Sequence, residues 1–132
     1  MVDLPCVHDP RGNLSFIQNG DQVPFDIART YWIYDVPGGR SRDGHAFRVQ
    51  HEMIVALSGS FDVVLDDGWG TRVRHHLNRS YYGLYVPPLT WREIDNFSTN
   101  SVALVLSSTL YDELDYIRDF DEFKRLMAND TF

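Results

Sequence analysis

The stretch from Gly44 to Gly59, GHAFRVQHEMIVALSG, combines two runs of strand-forming residues with the chain's most informative polar side chains. His45 and Phe47 are two residues apart, so their side chains share one face of a strand. An unbroken strand would put His45 and His51 inside together and turn Glu52 outward. A bulge between the histidines reverses this. The motif spacing described below favours the bulge, so we expect Glu52 inside and His51 in solvent.

Turn-forming residues punctuate the chain on both sides of this stretch, among them DPRGN at 9–13 and DDGWG at 66–70. The segments between the turns are short and rich in β-branched and aromatic residues, which is typical of a sandwich or barrel. The predicted strands cover 14–18, 28–35, 45–49, 51–58, 60–65, 71–76, 82–86, 91–95 and 101–107.

The pattern changes near the end of the chain, where apolar residues recur at helical spacing. They stand at positions 114, 117, 120, 123, 126 and 127 and predict one or two short helices over an edge or mouth of the barrel. A partner-binding helix is the alternative. We expect one domain over 1–132, with a barrel over about 9–108 and a helical cap over about 112–128.

The composition of the chain argues against several classes of partner. The formal net charge of -7 argues against a nucleic-acid partner. No apolar segment approaches the ~20 residues that span a bilayer, so no membrane partner is expected. The single cysteine, Cys6, excludes an internal disulfide and fits a reducing cytoplasm.

Extending the opening stretch back to Gly39 gives a spacing that resembles the first motif of the cupins, a family of β-barrel proteins. The pattern is Gly39, five residues, His45, one residue, Phe47, four residues, Glu52, six residues, Gly59. The cupin motif has a second histidine where Phe47 stands.

A later stretch, GLYVPPLTWREIDN, resembles the second cupin motif. Gly83, Pro87 and Asn96 are in place, whereas Arg92 stands where a histidine is expected and Leu89 replaces a glycine. Strand alternation puts Arg92 and Asn96 on one face. The resemblance implies an all-β cupin fold, a jelly-roll barrel also described as a double-stranded β-helix.

In metal-binding cupins the motif histidines and glutamate converge on one ion. Only His45 and Glu52 remain here, because phenylalanine cannot ligate and a guanidinium stays protonated. Two protein ligands rarely hold a catalytic ion. We therefore predict a site without metal, in which Arg92 lies where the ion would be and pairs with Glu52 or an anionic substrate. A purely structural ion pair is the alternative.

Over about residues 9–126 the chain also resembles the dTDP-4-keto-6-deoxyglucose 3,4-ketoisomerases, which are metal-independent bacterial cupins. The segments that carry the resemblance are DPRGNLSFI, YWIYDVPGG, RDGHAF, LSGSFDVVLDDG, GLYVPPLTW and NFSTNSVALVLSSTLYDELDYIRDFDEF. It implies a dTDP-sugar substrate, no cofactor, and a homodimer with exchanged strands. It also implies a cytoplasmic role in making deoxysugars and aminosugars for lipopolysaccharide or S-layer glycans. Phe47 and Arg92 depart from the family, whose members commonly carry HAH and a histidine after the second-motif tryptophan.

A 3,4-ketoisomerase moves a carbonyl from C4 to C3 of a hexose through an enediolate. The reaction needs a base near C3, a proton shuttle near the oxygens and a donor for the oxyanion. His45 is the predicted base, since its ordinary pKa lies near the working pH. Arg92 is the predicted oxyanion stabiliser. Tyr34 and Tyr85 are candidate proton donors or sugar contacts, or else core aromatics of their strands.

The substrate's diphosphate calls for cations, for which Arg11, Arg42 and Arg48 are the candidates. Arg48 has the opposite parity to His45, so we expect it to point away from its own barrel. The predicted substrate-binding set is completed by Phe47, Glu52 and Asn96.

Three other functions stay open at this point. A dTDP-sugar epimerase would share the enolisation step. A nucleotide-sugar-binding cupin that has lost catalysis is favoured by the changes at Phe47 and Arg92. An unrelated small-ligand cupin is the third.

Overall fold

A computed structural model describes residues 1–37 and 42–129, with the side chains of Arg42 and Asp43 outside the description. The described residues form twelve strands, one 3-10 turn (Glu113–Asp115) and one helix, α1 (Phe120–Asn129). The strands are β1 (Val2–Asp3), β2 (Cys6–Val7), β3 (Leu14–Ser15), β4 (Arg29–Tyr34), β5 (Arg42–Phe47), β6 (Glu52–Ser58), β7 (Phe61–Asp66), β8 (Arg72–Leu77), β9 (Tyr82–Val86), β10 (Trp91–Asp95), β11 (Val102–Ser107) and β12 (Tyr116–Ile117).

Two five-stranded sheets form the body of the fold. Their strand orders are β1-β9-β6-β11-β4 and β12-β5-β10-β7-β8, and β2 and β3 form a separate pair. The pairs of neighbouring strands in the described residues are antiparallel, and one apolar core joins side chains from both sheets. This architecture confirms the predicted all-β jelly-roll class with a short C-terminal helical segment.

Strand β6 has consecutive apolar residues and no polar–apolar alternation, because both of its faces are covered over most of its length. Ile54 and Ala56 point into the core between the sheets. Met53 and Val55 point outward, but the N-terminal segment covers them with Leu4 and other apolar residues. Both faces of β6 are therefore buried from Glu52 to Ala56, whereas Leu57 and Ser58 are exposed.

The chain changes sheet between β5 and β6, where the sequence predicts a bulge. It bends at Arg48 and Val49, and the Asp115 carboxylate accepts hydrogen bonds from the backbone N–H groups of Val49 (2.8 Å) and Gln50 (3.1 Å). Glu52 then faces inward as expected, because the bend resets the parity of the chain.

The expectation that His51 lies in solvent is wrong. His51 is half-buried on the outer face of its sheet, and its Nδ1 is 2.6 Å from the Tyr85 hydroxyl. Its ring also packs against Phe25 at a centroid distance of 5.7 Å. The N-terminal segment that covers Met53 therefore covers this histidine too.

The helical spacing from residue 114 is only partly realised as helix. Tyr116 and Ile117 form β12, which pairs with Phe47 and Ala46 of β5. Among the described residues only α1 is an α-helix. Its buried residues Phe123 and Met127 pack with Trp91 on the outer face of the sheet, away from the barrel interior. Pairing with an available strand edge overrides local helical preference here. In the described part of the chain, no helix has the length and apolarity to cross a membrane.

Gly44 fixes the distance between β5 and β10. A Cβ at this position would lie 2.7 Å from Trp91 and Glu93 side-chain atoms. The missing side chain lets the two strands approach closely, with His45 paired directly opposite Arg92. Directly opposite residues share a face of the sheet, so both side chains point into the barrel.

Candidate active site

An ion pair lies at the centre of the barrel. Arg92 is 2% exposed and Glu52 is 0% exposed. Arg92 Nε donates to Glu52 Oε1 at 3.0 Å, and Nη2 lies 3.4 Å from Oε2. Burial acts to lower the pKa of Arg92, but the charge of Glu52, the hydrogen bond to Glu52 and the neighbouring Tyr31 together outweigh it and raise the pKa overall. The predicted pairing of these two residues is thus present.

Tyr31 completes the central group. Its hydroxyl donates to Glu52 Oε2 and accepts from Arg92 Nη2 at 2.9 Å. Burial raises the pKa of Tyr31, and the nearby charge of Glu52 adds to the effect. The phenol therefore stays protonated at neutral pH, and its hydroxyl oxygen keeps its hydrogen bond from the buried arginine.

A second polar layer connects this centre to the edge of the sheet. Gln50 Nε2 donates to Glu52 Oε2 at 3.0 Å, and its Oε1 accepts from Thr109 Oγ1 (2.7 Å) and Arg29 Nη2 (3.2 Å). The Arg29 guanidinium lies 5.1 Å from the ring centre of Tyr31. This network adds a second arginine without adding a second carboxylate.

His45 lies in the facing wall, which is aromatic. Its ring centroid is 4.8 Å from that of Phe47 and 5.2 Å from that of Tyr116. The Arg118 guanidinium sits 4.2 Å from the Tyr116 ring centre and is held by Glu113 through hydrogen bonds of 2.9 and 3.0 Å.

These two walls meet where the sheets end. Strand β4 is the last strand of one sheet and β12 of the other. Tyr31, His45 and Tyr116 are half-buried there, while Arg92 and Glu52 behind them are buried. We term this opening, lined by Tyr31, His45 and Tyr116, the cleft. It brings an imidazole, two phenols and a buried cation together.

Three predicted site residues lie outside the cleft. Tyr34 is exposed on the outer face of β4. Tyr85 points to the outer face of β9, where it bonds His51. Asn96 follows the end of β10 with φ of 54°, and its Nδ2 donates to Asp62 at 3.2 Å. The predicted common face of Arg92 and Asn96 is wrong, because the backbone leaves the strand conformation first.

Two of the arginines predicted to bind the diphosphate, Arg11 and Arg48, do not join the polar network. Arg11 is exposed and pairs with Asp9 within its own turn, Nη2 to Oδ2 2.9 Å. Arg48 points outward, as its parity predicts, and lies 3.6 Å from Glu122 of α1. The side chain of Arg42 is outside the described part of the chain.

The sequence pattern did not indicate Tyr31, Arg29, Gln50 or Tyr116 as site residues. Alternation in β4 predicts two sets of side chains, but it does not tell which set faces inward. No alternation indicates Tyr116, because its strand β12 has only two residues. Within residues 1–37 and 42–129, no group of three His, Cys, Asp or Glu side chains is arranged to hold a metal. Catalysis without metal stays a prediction.

Comparison with known proteins places this geometry in a family. Residues 1–128 match the family model described as FdtA: WxcM-like, C-terminal. The TDP-4-oxo-6-deoxy-alpha-D-glucose-3,4-oxoisomerase of Aneurinibacillus thermoaerophilus is 39% identical over 128 residues, which cover 97% of this chain and 91% of that protein.

Solved structures agree over nearly the whole chain. A 3,4-ketoisomerase from Helicobacter canadensis is 37% identical, with a TM-score of 0.92 and coverage of 96% of this chain and 95% of that one. QdtA, a sugar 3,4-ketoisomerase from Thermoanaerobacterium thermosaccharolyticum solved with TDP, is 33% identical, with a TM-score of 0.94 and coverage of 99% and 95%. The resemblance to the 3,4-ketoisomerases is confirmed, and the chain belongs to the FdtA family of WxcM-like, C-terminal domains.

Proposed function

We propose that this protein is a 3,4-ketoisomerase that converts a dTDP-4-keto-6-deoxyhexose to the 3-keto isomer. The observation that carries the proposal is the composition of the cleft. His45 lies opposite the buried Arg92 on the neighbouring strand, and Arg92 is hydrogen-bonded to the hydroxyl of Tyr31 at the opening. Relatives named as TDP-sugar 3,4-ketoisomerases supply the substrate class.

The reaction follows from the chemistry of the sugar. The C3 proton is acidic because it lies next to the C4 carbonyl, and His45 is the base that removes it. The resulting enediolate carries negative charge on oxygen, which the Tyr31 hydroxyl and the positive charge of Arg92 stabilise. Because Arg92 is almost fully buried, it acts through Tyr31 and through its field more than by direct contact. Return of a proton at C4 gives the product.

The test is incubation of the protein with dTDP-4-keto-6-deoxyglucose in deuterium oxide, followed by NMR of the sugar. A 3-keto product with deuterium at C4 is the expected result. Exchange at C3 with inversion there would instead identify an epimerase. Tight binding of dTDP without any exchange would identify a binding protein and contradict the proposal.

We further propose that the protein is a homodimer with exchanged strands. Supporting this, the outer face of the β4 sheet exposes Trp32 (58%) and Leu57 (50%) beside an apolar groove that includes Phe16 and Leu104. Contiguous exposed apolar surface on a sheet is typical of an interface. Strand β1 pairs with β9 through only two residues, so its exchange between subunits costs few hydrogen bonds.

The double variant Trp32→Glu/Leu57→Glu is expected to sediment as a monomer in analytical ultracentrifugation, while the unaltered protein sediments at twice the mass of one chain. Charge on this face opposes its burial. Trp69→Glu is the matched control, because Trp69 is similarly exposed (51%) but lies in the turn after β7. Equal sedimentation of all three proteins would contradict the proposed interface.

The proposed setting is the bacterial cytoplasm, with residues 1–132 acting as one cupin domain. The 3-keto product would serve the synthesis of deoxysugars and aminosugars for surface glycans. The single free cysteine, Cys6, is compatible with a reducing compartment.

A further inference from the structure

The proposed ketoisomerisation requires a second protic group in addition to the base. One proton leaves C3 and one is returned at C4, and His45 handles both transfers, exchanging its proton with solvent in between. Another must leave the hydroxyl at O3 and reach the oxygen at C4. The inference that follows rests on the proposed function and concerns which side chain handles this second proton.

Two side chains of the cleft wall pack directly against the imidazole of His45. Phe47 neighbours it along β5, and Tyr116 faces it from β12, with ring centroids 4.8 and 5.2 Å from that of His45. Phenylalanine has no exchangeable proton, whereas the phenol can both donate and accept one. We propose that Tyr116 is a catalytic residue that transfers the proton between the two sugar oxygens.

The position of Tyr116 fits this role. It pairs with Phe47 across β12 and β5, so it shares the inner face with His45. Its ring packs edge-on against Phe47 at 4.6 Å and under the Arg118 guanidinium at 4.2 Å, so the ring is held in place from two sides.

Tyr31 is the other phenol of the cleft, and its hydrogen bonds give it a different task. Its proton is donated to Glu52, and its oxygen accepts from Arg92. The Tyr31 hydroxyl can therefore stabilise negative charge on the substrate, but its proton already forms a hydrogen bond with the Glu52 carboxylate. Tyr116 is therefore the better carrier of the second proton.

The proton and electron changes balance. His45 takes the C3 proton, the electrons of the C3–H bond form a C3=C4 double bond, and the carbonyl electrons move to O4. The His45 imidazolium exchanges its proton with solvent. O4 takes the Tyr116 proton, and the phenolate then takes the proton of the O3 hydroxyl. As C3=O forms, the electrons of the double bond accept a proton at C4 from the His45 imidazolium. Both side chains return to their starting states, and no co-reactant is consumed.

The experiment separates the two proton transfers. In deuterium oxide, Tyr116→Phe is expected to keep exchange at C3 close to that of the unaltered protein but to form 3-keto product about 10²-fold more slowly, which is the usual size of a lost acid–base group. Tyr111→Phe is the matched control, because Tyr111 packs against Tyr116 at 5.7 Å but is exposed. We expect it to leave both rates unchanged.

A rescue variant distinguishes catalysis from packing. Adding Phe47→His to Tyr116→Phe places an imidazole beside His45, and product formation is expected to recover at least tenfold. A full product rate in Tyr116→Phe, equal losses of exchange and product formation, or no rescue would each overturn the role of Tyr116. Absence of ketoisomerisation in the unaltered protein would instead contradict the proposed function.

Discussion

Replacing His45 with asparagine is expected to slow both exchange at C3 and formation of the 3-keto product by about 10²- to 10⁴-fold. Asparagine retains hydrogen-bonding capacity but cannot act as the base, so both readouts fall together. In this it differs from Tyr116→Phe, which is expected to affect product formation alone. The measurement is NMR of dTDP-4-keto-6-deoxyglucose in deuterium oxide, with dTDP affinity determined in parallel.

His51→Asn is the matched control, because His51 lies on the outer face of the sheet and bonds Tyr85 rather than any residue of the cleft. It should retain the full rate. If His45→Asn also kept its rate while binding dTDP normally, the base would have to be sought elsewhere in the protein.

Replacing Glu52 with leucine is expected to lower the free energy of unfolding by about 3–5 kcal/mol. The change leaves the charge of Arg92 buried without its carboxylate partner, and the Tyr31 hydroxyl loses its acceptor. Urea denaturation of the single variant against the unaltered protein measures the effect. Equal midpoints and slopes would show that Arg92 finds another partner or solvent.

The double variant Glu52→Leu/Arg92→Met separates stability from function. Replacing both members of a buried ion pair by apolar groups of similar volume is often neutral or stabilising. Most of the lost stability should therefore return, while ketoisomerisation should stay far below that of the unaltered protein. A double variant as unstable as Glu52→Leu would mean that the hydrogen bonds of Tyr31 and Gln50, more than the charge of Arg92, depend on Glu52.

The longer strands were predictable because each has several alternating residues between clear turns. The predicted strands 82–86 and 91–95 agree with β9 and β10 to the residue. The strands β1, β2 and β12 were missed, since a pair of residues has no period. The helical reading of residues 114–127 is right for α1 and wrong for Tyr116 and Ile117, which pair with β5. That pairing depends on a contact with a segment some 70 residues away, which local pattern does not contain.

The inward positions of His45, Glu52 and Arg92 were predictable from motif spacing. Which of Tyr31 and Tyr34 faces inward was not predictable. Both lie in one alternating strand on opposite faces, and a shift of one residue in register exchanges the two faces. The structure settles it, since Tyr31 bonds Arg92 and Tyr34 is exposed. The predicted face of Asn96 was wrong for a local reason, because its backbone φ of 54° ends the alternation of side chains that began at Arg92.

The Asp115 carboxylate, which supports the bend after β5, also affects the order in which a newly made chain becomes active. Residues 45 and 92 leave the ribosome well before Asp115 and Tyr116 do. Until those two residues emerge, the backbone N–H groups of Val49 and Gln50 lack their acceptor, and one wall of the cleft is missing. Substrate processing must therefore await these two residues, even though every strand of the two main sheets except β12 precedes them in the chain.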